Sequence, residues 1–263
     1  EFLKFGTVAI PLIIVCILSV LVLIKLLIKK VPISSKMSYL IAIGTSVCGA
    51  TAIVATAPII EAKKTEVAYA IANITLFGVL AMLVYPYFTE WYFHGEPIKA
   101  GLFLGTAIHE TSQVAAAGLI YDQQFNSPET LNVATVTKLI RNTFLVIMVP
   151  LFGFLYNRGK VKDKNYSIFS IFPYFVLGFI GMIIIRNIGD QVFTIENSNY
   201  EFWKTLIGYI KNLATVFLTM AMAAVGISIN LNELKSMGYK PFVVGLIAAV
   251  TVGIVSIISL ETF

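Results

Sequence analysis

The chain has 263 residues, of which 58% are apolar and 13% charged, and a formal net charge of +5. So apolar a balance excludes an ordinary soluble domain and points to an all-α integral membrane protein. The positive charge does not require a nucleic-acid partner, because the basic residues gather in a few connections, as the positive-inside rule expects of cytoplasmic loops.

Apolar runs of roughly the 20 residues that cross a bilayer fall at 6–28, 38–60, 66–88, 98–120, 131–155, 168–188, 205–229 and 240–262. The connections are too short for a second domain, so residues 1–263 read as a single membrane domain, a polytopic helical bundle. The opening "EFLKFGTVAIPLII" has no initiator Met, basic n-region or cleavage site, and is not a signal peptide. It resembles "ELKSMGYKPFV" at 233–243, a copy preceded by "AMAAVGISINLN", so a helix is expected upstream of the first run. Lys25, Lys29, Lys30 and Lys36 mark the first connection as cytoplasmic. Cys16 and Cys48 both lie in apolar runs, and no disulfide is expected.

The second and fourth runs align with each other: "GTSVCGATAIVATA" at 44–57 matches "GTAIHETSQVAAAG" at 105–118, each followed by a helix ending at Pro86 or Pro150. Gly, Thr and Ser at the middle of a span mark a broken or re-entrant helix, whose freed backbone must be buried in protein or line a water-filled cavity. Such segments paired in two halves point to the substrate site of a secondary transporter, where half-helix N-termini and exposed amides receive anions. Close packing of small residues between helices is the plainer alternative. The candidate substrate-binding residues are Thr45, Ser46, Cys48, Gly49 and Thr51 in the first segment, and His109, Glu110, Ser112 and Gln113 in the second. If both segments cross, the copies run parallel and Lys63 and Lys64 lie outside. If both re-enter, the copies are inverted repeats, those lysines return to the cytoplasm, and "EWYFHGEPIK" faces out, which the charge rule favours. Asn73 and Thr75, on the third run, are candidates for a supporting shell or for interhelical hydrogen bonds.

The fifth run buries charge. Lys138, Arg141 and Asn142 share one helix face by their spacing, and Arg141 lies near mid-depth. Glu110, Lys138 and Arg141 together cost about 8 to 10 kcal/mol if uncompensated, so they must pair, face water or bind something. Lys138 has length enough to snorkel, and an ion pair between Glu110 and Arg141 is one resolution. The other is that two cations against one carboxylate receive an anion, the guanidinium fork suiting an oxyanion. His109 and Glu110 are the candidates for coupling movement to H+ or Na+. Arg158, Lys160, Lys162 and Lys164 make the fifth connection cytoplasmic, while Asp122 and Glu129 in the fourth, and Asp190, Glu196 and Glu201 in the sixth, place those outside, with the C-terminus. Arg186 and Asn187 close the sixth run as interfacial anchors.

Enzyme chemistry finds little support. "HETSQ" begins like a zinc-protease H-E-x-x-H but puts Gln113 where the second His belongs, and His94 lies in a polar connection. Asp122 and Asp190 both sit at segment ends, so no aspartyl pair forms within spans. No catalytic residue, metal or cofactor is expected. The expected partners are a small anion and the lipid bilayer, with homo-oligomerisation left open and a channel or purely structural membrane protein as further alternatives.

"GTSVCGATAIVATAPIIEAKKTEVAYAIANITLFGVLAMLVYP", then "GTAIHETSQVAAAG", then "VATVTKLIRN", resemble the YeiH-like sulfate exporter family over essentially the whole chain. The ordered set of motifs carries the likeness, with Thr137 standing where the family has Val before the Lys. The resemblance implies a bacterial inner-membrane secondary transporter, related to cation/proton antiporters and bile-acid symporters, with inverted repeats and crossing broken helices. It implies about three further N-terminal helices, export of sulfate or a related oxyanion or sulfonate, and site positions Cys48, Gly49, Ala50, His109, Glu110, Gln113, Lys138 and Arg141. A sodium/proton-type cation exchanger using Glu110 is the rival reading.

Overall fold

Backbone groups in hydrocarbon must satisfy one another, which selects helices, and the described residues contain helices and no strand. The computed structural model describes residues 2–27, 30–157, 175–194, 199–227 and 238–262. Lys29, the basic run 158–164, Glu196 and residues 233–237 of the second "ELKSMG" copy lie outside them.

The helices are α1 (Phe2–Leu27), α2 (Ser35–Ser46), α3 (Ala50–Thr56), α4 (Lys64–Phe93), α5 (Pro97–Ala107), α6 (Thr111–Phe125), α7 (Pro128–Thr143), α8 (Leu145–Asn157), α9 (Phe175–Val192), α10 (Tyr200–Ile227) and α11 (Lys240–Thr262). Segments Thr7–Leu27, Lys64–Phe93 and Lys240–Thr262 are long and apolar enough to cross a membrane, and α7 with α8, bent by 43°, are so together if the bent pair is taken as one span. The expected sixth and seventh runs are the helices α9 and α10.

The two interrupted segments re-enter. Ser34 donates to the Glu66 carboxylate and the Lys36 ammonium to the Glu61 carbonyl, which puts the start of α2 beside the start of α4. Between them the chain descends through α2, breaks at Val47, Cys48 and Gly49, and returns through α3, whose Ile53 packs over Gly44. The second segment repeats this. The Thr130 hydroxyl on α7 donates to Pro97 O at the start of α5 (3.3 Å), Gly105 lies against Thr137, and Asn142 reaches back to Thr111 at the start of α6 (3.0 Å). Helix α5 therefore runs parallel to α7 and α6 antiparallel to it. Neither segment continues as one broken span: the chain turns back at each break, at 47–49 and at 108–110.

Helix α4 separates the two mouths: the first hairpin opens where α4 begins and the second where it ends. The hairpins thus dip from opposite faces and meet tip to tip, an inverted pair. Tyr156 at the end of α8 packs edge-on against Tyr39 near the start of α2, 5.5 Å between ring centroids. Lys36, Lys63, Lys64 and the end of α8 consequently share one face, opposite the loop at 94–96.

Helix α11 runs parallel to α4, held by Tyr69 on Gly238 O (2.7 Å), Asn73 on Pro241 O (2.8 Å) and Thr106 against Ser256 (2.7 Å). It closes the bundle with α1 around the hairpins. Helices α9 and α10 meet at Trp203, which lies over Gly189, and α10 also touches α4.

Candidate functional site: the hairpin tips

A helix that ends in lipid leaves its last carbonyls without partners and about half a negative charge at that end. Here two such ends, those of α2 and α5, converge, and the face of α7 turned to them presents Lys138 and Arg141, both fully buried. Arg141 donates from Nε to Ser46 O (2.9 Å), from one terminal nitrogen to Thr106 O (2.6 Å) and Ile108 O (3.4 Å), and from the other to Thr45 O. Lys138 donates to Val47 O (2.9 Å), Ile108 O (3.1 Å) and His109 O. The internal repeat makes the logic visible: Thr45 matches Thr106 and both serve Arg141, while Val47 matches Ile108 and both serve Lys138. Each cation bridges the two hairpins.

Two of the sequence readings change at this point. Lys138 does not snorkel, since its ammonium is held at mid-depth by three carbonyls. No ion pair joins Glu110 to Arg141; among the described residues ion pairs form between Lys99 and Glu96 and between Arg186 and Asp190.

The opposite ends meet on Glu110. Its carboxylate caps the first turn of α6 by accepting the Gln113 N–H, while the Gln113 side chain accepts the Glu110 N–H (3.4 Å). It also accepts the Thr75 hydroxyl (3.0 Å), and Gln113 donates to Thr75 O (3.1 Å). Gly49, the N-cap of α3, takes φ 70° and ψ −126°, a conformation open to glycine alone. A Cβ there would stand 2.6 Å from Glu110 Cγ, so the absent side chain of the first tip is the space filled by the acid of the second. Gly78 on α4 makes room for Gln113 in the same way.

Of the expected site residues, Thr45, Ser46, His109, Lys138 and Arg141 gather at the C-terminal ends, while Gly49, Glu110, Gln113 and Thr75 gather at the N-terminal ends. Cys48 is buried beside them, and Thr51 and Ser112, matching positions of the repeat, are exposed on the first turns of α3 and α6. Asn142 joins α7 to α6 through Thr111. Asn73 is not part of the site: it ties α4 to α11, with Gly245 packed over it. The Thr45 and Ser46 hydroxyls and His109 Nδ1 are buried without hydrogen-bond partners.

The family described as "Conserved hypothetical protein 698" matches residues 1–245. The chain belongs to that family. Its relatives include a UPF0324 membrane protein of Fusobacterium nucleatum, FN0533, 33% identical over 97% of this chain and 75% of its own length. Another is the UPF0324 membrane protein SAG1125 of Streptococcus agalactiae, 34% identical over 97% of this chain and 72% of its own length. Those names state a membrane protein and no cargo. No solved structure matches the chain.

What sequence reasoning missed in this UPF0324 chain is the partner of its buried cations. Backbone carbonyls have no letter in a sequence, although the doubled "GT" at 44–45 and 105–106 placed them. It also missed Thr106 with Ser256, which fastens the second hairpin to α11. The polar positions of both residues within apolar runs were the available signal.

Proposed function

We propose that this UPF0324 protein is a secondary active transporter that moves a small oxyanion, sulfate or a sulfonate, by alternating access, with Glu110 coupling the movement to H+ or Na+. The observation that supports this reading is the tip-to-tip meeting of two inverted re-entrant hairpins on buried charge, since secondary transporters carry their substrate sites near the bilayer midplane between interrupted segments of two inverted halves. Half-charges at the two C-terminal and two N-terminal ends offset one another. The tips thus keep the excess of two cations over one carboxylate, which favours an anionic cargo. Lys138 and Arg141 act as positioning residues and as the source of that field, since their donors already bond to carbonyls. Thr51, Ser112 and the neighbouring first-turn amides are the groups that meet the anion. In the bacterial inner membrane the lysine-bearing face is cytoplasmic, and the C-terminus lies outside.

Cation exchange is the second reading, supported by Glu110, an acid at the tips that makes no ion pair. Counterflow of labelled sulfate in liposomes holding the full-length protein separates the two. In the oxyanion carrier, Glu110→Gln retains anion counterflow, inhibited by sulfite and sulfonates, but loses dependence on a pH or sodium gradient. A cation exchanger shows cation flux with no anion requirement, and Glu110→Gln abolishes it.

A further inference from the structure

Of the tip residues, Glu110 alone carries a carboxyl group, and it sits where the proposed cargo would bind. The first turn of α6 bears the positive half-charge of a helix start, which attracts anions, and the Glu110 carboxylate already accepts the Gln113 N–H there. That carboxylate is clamped. Thr75 donates to it from α4 (3.0 Å), Gln113 ties back to Thr75 O (3.1 Å), and Glu110 Cγ fills the space that Gly49 leaves on the first tip. The chain thus supplies its own anion for the site, with little freedom to swing clear.

The other ionisable groups of the tips are Lys138 and Arg141 on α7, Cys48 on the first tip and His109 next in the chain, and Lys138 feels the Glu110 charge. Helix α4 contributes Thr75 and Gly78, and α3 contributes Thr51, none of which titrates. The two cations are fixed on carbonyls, so the group whose state can change the site is Glu110. Ionised, its oxygens only accept, and an anion about 4 Å away would be weakened roughly a thousandfold by like-charge repulsion at a dielectric constant of about 20. Protonated, it loses the charge and gains an O–H that can donate to the anion. Sodium is the poorer neutraliser. In interrupted helices Na+ is coordinated by unwound carbonyls, and here the carbonyls of Thr45, Ser46, Val47, Thr106, Ile108 and His109 already accept from Arg141 and Lys138.

Resting on the oxyanion reading, we infer that ionised Glu110 excludes the cargo from the first turn of α6, so that anion and proton bind together and the carrier is a symporter of the two. The test is equilibrium binding of radiolabelled sulfate to the purified full-length protein in detergent between about pH 6 and about pH 8, a range in which sulfate keeps its charge. Wild type should bind up to about tenfold more tightly for each unit fall in pH, the limit for one proton per anion. Sulfate added to weakly buffered protein should draw a proton from solution as it binds, as reciprocity requires. Glu110→Gln should bind at least about tenfold more tightly than wild type at about pH 8 and lose the pH dependence. A carboxylate that only caps α6 predicts neither change, because Gln keeps an acceptor oxygen. Wild-type affinity that ignores pH overturns the inference, as does a slope that survives in Glu110→Gln, which would belong to Lys138 or His109. Weaker binding in Glu110→Gln overturns it too. Should that variant fail to fold, sulfate binding to wild type without proton uptake is the overturning result. If neither protein binds sulfate, sulfite or a sulfonate at any pH, the oxyanion reading itself falls, and the inference with it.

Discussion

At the tip of the first hairpin Val47, Cys48 and Gly49 carry no charge, whereas the matching positions of the second, Ile108, His109 and Glu110, bring the acid that both returning half-helices face. The backbone treatment is the same in both: a descending helix ends, and its last carbonyls turn to Lys138 and Arg141. A duplicated scaffold therefore handles its C-terminal ends symmetrically and its N-terminal ends asymmetrically. The symmetric half concerns stability, since orphan carbonyls in lipid are costly whichever hairpin owns them. The asymmetric half supplies one titratable group in place of two.

The sharpest way to break the symmetric half is Arg141→Ala, which frees carbonyls of both hairpins at once. It should cost about 3 to 5 kcal/mol, read as a large drop in thermal midpoint in detergent or as loss of monodisperse protein. Arg141→Lys keeps the charge but has no fork to span Thr45 O and Thr106 O, and should recover only part of that loss.

The asymmetric half is probed by Gly49→Ala, expected to destabilise by about 2 to 3 kcal/mol because the backbone there is closed to L side chains and the new methyl meets Glu110. If Glu110→Gln has the same thermal midpoint as wild type while Gly49→Ala falls, the acid belongs to function and the glycine to fit.

Gly44→Ala and Gly105→Ala compare the hairpin arms directly. At Gly105 the methyl would meet Ala134 O at 2.7 Å and Thr137 Cβ at 2.6 Å, neither able to swing away, whereas at Gly44 it meets the flexible ends of Ile53 and Ile74. Gly105→Ala should cost about 2 kcal/mol and Gly44→Ala about 1; equal losses would mean the second hairpin is no more tightly held on α7 than the first is on α4. An equally small effect is expected from Thr75→Val, which deletes the hydroxyl donor to Glu110 and should lower stability by about 1 kcal/mol, measured by the same thermal assay.

Much of this plan was legible in the sequence because it depends on periodicity and on charge. The apolar runs gave the helices, and the doubled "GTS" and "GTA" gave the tips and their pairing. The i, i+3 spacing put Lys138 and Arg141 on one face, and the lysine-bearing loops favoured re-entry over crossing. What was not legible depends on contacts between distant backbones. Arg141 looked like a receptor for a ligand because its side chain is named in the sequence, while the Ser46 and Thr106 carbonyls that occupy it are not. Asn73 was a candidate neighbour of the site because it lies on the helix after the first broken segment, with an interhelical hydrogen bond as the alternative. Which way it faces is set by the position of α11, whose approach no local pattern encodes.

The cation bridge also bears on how the protein is made. Thr45 leaves the ribosome 96 residues ahead of the Arg141 that satisfies its carbonyl. At roughly 5 to 20 residues per second, the first hairpin waits about 5 to 20 seconds for its counterpart. During that interval its polar tip has no place in hydrocarbon, so the hairpin must be sheltered at the insertion machinery or at the wet surface. It can settle to mid-depth only after α7 is synthesised, making this early segment of the chain among the last to reach its final depth.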